Sequence, residues 1–164
     1  MHTEDNADKA AVKLVKKLIG GHYSLALAES CTAGLVSDLI ARVSGASAVL
    51  WGSFVCYSPE AKKSMLRLGN ILEKYGPVSA ETAGEMALHA LDIAGVDIAA
   101  SVTGLAGPLG DGSATPVGTV FVGIARRVNG EAAVDVKPLF FQGTRAEIRM
   151  QAALAVLEHL TSYI

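Results

Sequence analysis

The chain has 164 residues, of which 51% are hydrophobic and 18% charged, and fourteen basic against sixteen acidic residues give a net charge of -2. This length suits one domain with one core, and the composition excludes long disordered segments. The charge balance lacks the basic surface that a nucleic acid or an anionic membrane requires, so we expect a single domain over residues 1–164 without either partner.

Targeting and metal signals are weak along the chain. The N-terminal segment mixes charges, and no apolar run reaches the roughly 18 residues of a membrane helix. Cys31 and Cys56 lack CxxC spacing, which favours buried, reduced thiols. We expect a soluble, cytoplasmic protein with no cofactor and no metal ion. The four histidines are scattered and form no zinc motif: His2, His22, His89 and His159.

Helical and strand-like patterns alternate from the N-terminus. Residues 9–19 carry apolar side chains at helical spacing and end at Gly20-Gly21, which predicts a first helix. The apolar stretch "SLALA" (24–28) predicts a strand, and helical periodicity then resumes. The pattern over 24–44 therefore predicts a strand, a turn and a helix.

A second strand and two capped helices follow. The stretch "VLWGSFVCY" (49–57) predicts the strand, and Ser58 is placed to cap a helix whose first residue is Pro59. Further along, Ser79 is a second N-cap, followed by an apolar stripe that Gly95 ends. We expect helices after both serines.

The second half is richer in strands. Residues 97–103 predict a strand, and the loop 104–116 holds four glycines and two prolines. Residues 117–141 predict a β-hairpin that turns at Asn129-Gly130. Pro138 places the second hairpin strand at an edge or a bulge of the sheet, because proline cannot donate to a central ladder.

The order of elements indicates the fold class. A capping box over 144–147 opens a last helix, which makes five predicted helices and five predicted strands. We expect an α/β fold, with a mixed sheet of about five strands and helices on both faces. Ligands bind beyond the carboxyl ends of parallel strands in such sheets, so residues 29–34 and 103–116 should face one crevice.

Two interpretations fit the seam between the first strand and the second helix. In one, Ser30 or Thr32 is only the N-cap of a helix that begins near Ala33. In the other, Thr32 caps while the Ser30 hydroxyl faces a bound carbonyl, beside free helix N–H groups that stabilise an oxyanion. Gly34 would then let a substrate approach the backbone closely.

A nucleophile at this seam needs a base. Cys31 is a rival nucleophile, since a helix N-terminus lowers a thiol pKa, although a buried apolar role is the simpler interpretation. No GxSxG, SxxK or neighbouring histidine accompanies Ser30. Tyr57 and Lys62 in "YSPEAK" are the nearest candidates for proton transfer, and an exposed helical lysine is the alternative for Lys62.

The glycine-rich loop and two arginines are candidates for anion binding. The loop 104–116, flanked by Thr103 and containing Thr115, is either a phosphate cradle or a mobile surface connection. Arg145 and Arg149 are four residues apart on the last helix and share a face. Arg145 would reinforce an anion site, unless both arginines are unpaired surface residues.

Five segments together resemble the CinA C-terminal family, in the same order and over roughly residues 8–160. They are "ALAESCTAGL", "SGASAVLWGSFVCYSPEAK", "GPVSAETAGEMA", "VTGLAGPLGDGSATPVGTV" and "FQGTRAEIRMQA". The resemblance implies a three-layer α/β/α sandwich in a stand-alone form. It also implies nicotinamide-nucleotide amidase activity, in which nicotinamide mononucleotide and water give nicotinate mononucleotide and ammonia in pyridine nucleotide salvage.

The resemblance also implies roles for residues at matching positions. Ser30 is the first choice of nucleophile and Ser47 the second, while Tyr57 and Lys62 position the substrate and transfer the proton. Together with Gly34, the remaining matches predict substrate contacts: Glu29, Thr32, Thr103, Gly104, Gly107, Thr119 and Arg145.

Two departures from the family pattern support an alternative. The chain has "QGTR" and Thr115 where relatives often carry an "SGDR"-like turn and a lysine. The alternative function is a nucleotide-binding or partner module without catalysis. A further possibility is amidase or deamidase action on another nucleotide, since base recognition depends on loop geometry. Small-residue helix faces further suggest a homo-oligomer.

Overall fold

A five-stranded sheet forms the centre of the computed structural model, which describes residues 3–164. His2 therefore lies outside the described residues. The strands are β1 (Leu25–Glu29), β2 (Leu50–Val55), β3 (Ile98–Gly104), β4 (Thr119–Val128) and β5 (Glu131–Phe140). Hydrogen bonds connect them in the order β2-β1-β3-β4-β5. Strands β2, β1 and β3 are parallel, and β4 is antiparallel to both of its neighbours, β3 and β5. The predicted mixed sheet is confirmed.

Within residues 3–164, six α-helices surround the sheet. They are α1 (Thr3–Gly21), α2 (Leu35–Ala41), α3 (Pro59–Leu66), α4 (Gly69–Tyr75), α5 (Ala80–Ala94) and α6 (Arg145–Tyr163). All five predicted helices are present, and the short α4 was not predicted as a separate element. Ser58, Ser79 and Thr144 cap α3, α5 and α6 through their side chains, as the sequence predicts.

Leucine and alanine alternate along β1, and the two residue types face different layers of helices. Leu25 and Leu27 pack into the core shared with α1, α2 and α6, whereas Ala26 and Ala28 face the core shared with α3, α4 and α5. Successive residues of a strand point to opposite faces of the sheet, so both faces of β1 are buried. The α/β/α sandwich is confirmed.

The hairpin of β4 and β5 forms one end of the sheet. Asn129 and Gly130 adopt φ angles of 53° and 86°, the left-handed conformations that a tight two-residue turn requires. Pro138 lies on β5, which is an edge strand as predicted.

The parallel strands β1 and β3 end at the same edge of the sheet. The turn after β1 and the loop after β3 therefore lie side by side, as expected for ligand sites of such sheets. Among the helices within residues 3–164, none is both long and apolar enough to span a bilayer.

Candidate active site

A cleft of about 300 Å³ opens between the ends of β1 and β3, the start of α3 and the start of α6. Most of the residues predicted for catalysis or binding line it: Ser30, Tyr57, Lys62, Thr103, Gly104, Gly107 and Arg145. A larger depression of about 770 Å³ lies between α1 and α6, but its lysine-rich lining includes neither a cysteine nor a buried hydroxyl paired with a base. The cleft is therefore the candidate active site.

Ser30 and Lys62 are in direct contact at the base of the cleft. The Lys62 Nζ lies 2.8 Å from the Ser30 Oγ, and both residues are buried. Lys62 Nζ also lies 3.1 Å from the carbonyl oxygen of Cys56 and 3.3 Å from that of Tyr57. The interpretation of Lys62 as an exposed surface lysine is therefore wrong.

The surroundings of Lys62 favour its neutral form. Burial lowers its pKa below the ordinary value of 10.5, and interactions with Cys56 and Cys31 oppose this shift to a smaller extent. A neutral amine has two hydrogens and one lone pair. Because two carbonyl oxygens accept the hydrogens, the lone pair is free to take the proton of the Ser30 hydroxyl.

Tyr57 and Arg145 form the rim of the cleft. Arg145 donates one hydrogen bond to the Tyr57 hydroxyl at 2.6 Å and another to the Gly107 carbonyl at 2.7 Å. The interpretation of Arg145 as an unpaired surface arginine is therefore wrong. Of the two candidates for proton transfer, Lys62 contacts the Ser30 hydroxyl directly, and it reaches only the carbonyl of Tyr57 and not its side chain.

Glu29 is an internal cap behind the cleft. Its carboxylate is 1% exposed. It accepts hydrogen bonds of 2.8 to 3.1 Å from the N–H groups of Gly34, Val36 and Ser37 and from the hydroxyls of Thr32 and Ser53. The helix α2 begins at Leu35, and its N-cap residue, Gly34, has no side chain that could accept a capping hydrogen bond.

This arrangement corrects the predicted cap. Neither Ser30 nor Thr32 caps the helix, which begins at Leu35, two residues after the predicted start near Ala33. The N–H groups at its first turn already bind the Glu29 carboxylate, so they are not free to stabilise an oxyanion.

The predicted substrate contacts divide into two groups. Gly104, Gly107 and Arg145 line the cleft, but Glu29, Thr32, Gly34 and Thr119 do not. Thr103 lines the cleft, yet its hydroxyl donates to the Pro77 carbonyl at 2.7 Å and the residue is fully buried. Thr103 therefore shapes the wall rather than offering a free hydroxyl.

Ser47 lies far from the cleft. It belongs to a short 3₁₀ turn, Ala46–Ala48, that precedes β2. Because β1 and β2 are parallel, this turn lies at the amino-terminal edge of the sheet, whereas Ser30 follows the carboxyl end of β1. The five residues of β1 separate the two edges by about 16 Å. Ser47 is thus not a second nucleophile of this cleft.

Cys31 lines the cleft but is poorly suited to attack. It is a free cysteine with 6% exposure, and burial raises the pKa of its thiol to about 11. The predicted lowering by a helix N-terminus is not observed, because desolvation is the larger influence. The thiol is protonated at neutral pH, and Lys62 contacts the Ser30 hydroxyl.

Arg149 makes contacts that the sequence pattern does not indicate. Its guanidinium donates to the carbonyls of Cys31 and Thr32, at 3.0 and 2.7 Å. The four-residue spacing from Arg145 indicated the shared face, but nothing in the sequence identified partners more than a hundred residues away.

The Glu29 cap yields a stability prediction. Glu29→Gln replaces one acceptor oxygen by an NH₂ group that faces N–H donors, so we expect the free energy of unfolding to fall by about 3 kcal/mol. Urea denaturation measures this value. Glu147→Gln changes a second capping carboxylate, which is exposed and accepts from Thr144, and should lower the free energy of unfolding by clearly less than Glu29→Gln does. Equal losses in the two variants would contradict the assignment.

Comparison with known proteins places the cleft in a family context. The model of the CinA C-terminal domain matches residues 7–164. A CinA-like protein of Pseudothermotoga lettingae is 40% identical over 147 residues, which are 89% of this chain and 34% of that protein. A CinA-like protein of Kosmotoga olearia is 42% identical over 158 residues, covering 94% of this chain and 36% of that protein. The chain spans about a third of the length of these curated relatives.

Solved structures agree with the fold. The crystal structure of a competence-damaged protein (CinA) superfamily protein from Klebsiella pneumoniae superposes with a TM-score of 0.89 at 28% identity. The match covers 99% of this chain and 97% of that one.

Proposed function

Because the chain belongs to the CinA C-terminal domain family, we propose that it hydrolyses the carboxamide of nicotinamide mononucleotide to nicotinate mononucleotide and ammonia. The observation that supports this reaction is the contact of 2.8 Å between the Lys62 amine and the Ser30 hydroxyl inside a cleft. A buried amine beside a hydroxyl provides both the base and the nucleophile that amide hydrolysis needs.

The proposed reaction has two halves. Neutral Lys62 takes the proton of Ser30, and the Oγ attacks the carboxamide carbon to form a tetrahedral oxyanion. When this collapses, the C–N bond breaks, and Lys62 returns the proton to the departing ammonia. A water molecule then attacks the ester carbonyl while Lys62 takes its proton. The bond between the acyl carbon and the Ser30 Oγ breaks, Lys62 returns the proton to that oxygen, and nicotinate mononucleotide leaves as the carboxylate.

The rim of the cleft suits a phosphorylated substrate. Arg145 offers a guanidinium at the entrance, and Gly107 in the loop after β3 lines the cleft beside it. Gly107 has a φ of 77°, and a Cβ there would approach the Val117 side chain to 2.5 Å. We propose that phosphate takes the place of the Tyr57 hydroxyl on Arg145.

A substrate panel tests the function. We expect ammonia and nicotinate mononucleotide in equal amounts from nicotinamide mononucleotide, slower release from nicotinamide riboside, and least from nicotinamide. A chelator should leave the rate unchanged, since Ser30 and Lys62 carry the chemistry. Tight nucleotide binding without ammonia release would favour the alternative, a binding module without catalysis.

The role of Arg145 is tested by comparing substrates with and without phosphate. We expect Arg145→Met to raise KM for nicotinamide mononucleotide by about 10- to 100-fold, because one charge-assisted contact is lost. Steady-state kinetics with nicotinamide riboside, which has no phosphate, is the matched control and should change by less than about threefold. An equal rise in KM for both substrates would show that Arg145 maintains the structure of the rim and does not bind the phosphate.

A further inference from the structure

The turn that follows Ser30 presents backbone N–H groups beside the nucleophile. The Ser30 carbonyl accepts a hydrogen bond of 3.0 Å from the Ala33 N–H, which closes a turn with Cys31 and Thr32 at its centre. Over residues 3–164, no other residue provides an acceptor for the N–H of Cys31. Cys31 lines the cleft, so a substrate oxygen is its natural acceptor.

The conformation of this turn is not one that the local sequence would select. Ala33 and Gly34 have φ angles of 50° and 94°. The left-handed region is unfavourable for a residue with a Cβ, so surrounding contacts must maintain it at Ala33.

Two side chains of opposite charge bind the backbone of this turn, one through its N–H groups and the other through its carbonyls. The Glu29 carboxylate accepts from N–H groups on its helical side, including that of Gly34 at 3.0 Å. Arg149 donates to the two successive carbonyls of Cys31 and Thr32. Its planar guanidinium suits this double contact, which the single ammonium of a lysine reproduces poorly.

We propose that Arg149 is a positioning residue: by holding the carbonyls of Cys31 and Thr32, it orients the turn so that the Cys31 N–H stabilises the oxyanion formed at Ser30. The inference rests on the proposed function. The N–H of the residue after a nucleophilic serine is a recurrent oxyanion donor, and loss of one such donor costs about 10²- to 10³-fold in kcat.

The kinetic test uses two variants and a matched control. We expect Arg149→Lys and Arg149→Met to lower kcat for nicotinamide mononucleotide by about 100-fold with KM within about twofold. Arg126→Lys is the control, because Arg126 also donates to a carbonyl, that of Tyr163, but lies outside the cleft. The control should retain wild-type kcat.

A readout that does not depend on amide turnover is the reaction of Ser30 with a fluorophosphonate, whose phosphoryl oxygen needs the same donor. We expect the labelling rate of folded Arg149→Lys to fall in parallel with kcat. Unchanged kcat, a rise in KM alone, or a lower melting temperature with normal labelling would each overturn the inference. If the wild-type protein labels at Ser30 but releases no ammonia, the proposed function fails, and labelling of Arg149→Lys still decides the role of Arg149.

Discussion

Ser30→Ala is expected to lower kcat for nicotinamide mononucleotide by about 10⁴-fold or more while leaving nucleotide affinity within about threefold of wild type. The substitution removes only the Oγ that Lys62 contacts, and it leaves the cleft walls and Arg145 in place. Ammonia release measures the first effect, and calorimetric titration of the nucleotide measures the second.

Ser47→Ala is the comparison that separates the two serines suggested by the sequence. Ser47 is exposed at the amino-terminal edge of the sheet, so this variant should retain wild-type activity. Activity lost in Ser47→Ala and kept in Ser30→Ala would reverse the assignment of the nucleophile.

Lys62→Met is expected to lower kcat by about 10³-fold with little change in KM, because methionine fills a similar volume but cannot accept a proton. Lys62→Arg should be equally impaired, since a guanidinium remains charged and offers no lone pair. Lys63→Met is the matched control: Lys63 is the next residue, half-exposed and paired with Glu73 on the surface. A rise in KM alone would make Lys62 a binding residue.

The pH dependence of the reaction tests the same role of Lys62 as the base. Lys62 acts as a base only when neutral, and its pKa is lowered by burial, so the active fraction grows as pH rises through this lowered pKa. We expect kcat/KM of the wild-type protein to increase with pH and to level off below the ordinary lysine value of about 10.4. The profile of Lys62→Met should lack this rise. A wild-type rate that falls over the same range would contradict the assignment.

Local signals in the sequence predicted most of the fold. Ser58, Ser79 and Thr144 begin helices, and Asn129-Gly130 turns a hairpin, because each acts on backbone groups only a few residues away. The short α4 was missed for the same reason, since its N-cap Leu68 makes no side-chain hydrogen bond.

The seam at residues 29–34 shows where local reasoning failed. Ser and Thr are common N-cap residues, so a local pattern favours Ser30 or Thr32 as the cap of α2. The cap is instead Glu29, which reaches N–H groups up to eight residues ahead because the chain turns back through left-handed conformations at Ala33 and Gly34. Nothing in a local cap pattern indicates such a turn.

Long-range contacts decide the chemistry of the cleft. Lys62 meets Ser30 across 32 residues, and Arg149 meets Cys31 across 118. Periodicity places each side chain on a face of its helix, but only the packing of α3 and α6 against the end of β1 creates these pairs. The resemblance to the family indicated Ser30 and Lys62, and it also indicated Ser47, which the sheet topology separates from them.

The most direct measurement is ammonia release from nicotinamide mononucleotide by the wild-type and Ser30→Ala proteins, assayed side by side with a chelator present. We expect one ammonia for each nicotinate mononucleotide from the wild-type protein, and none above background from the variant. Equal release by the two proteins would contradict the central claim that the Ser30 hydroxyl attacks the carboxamide.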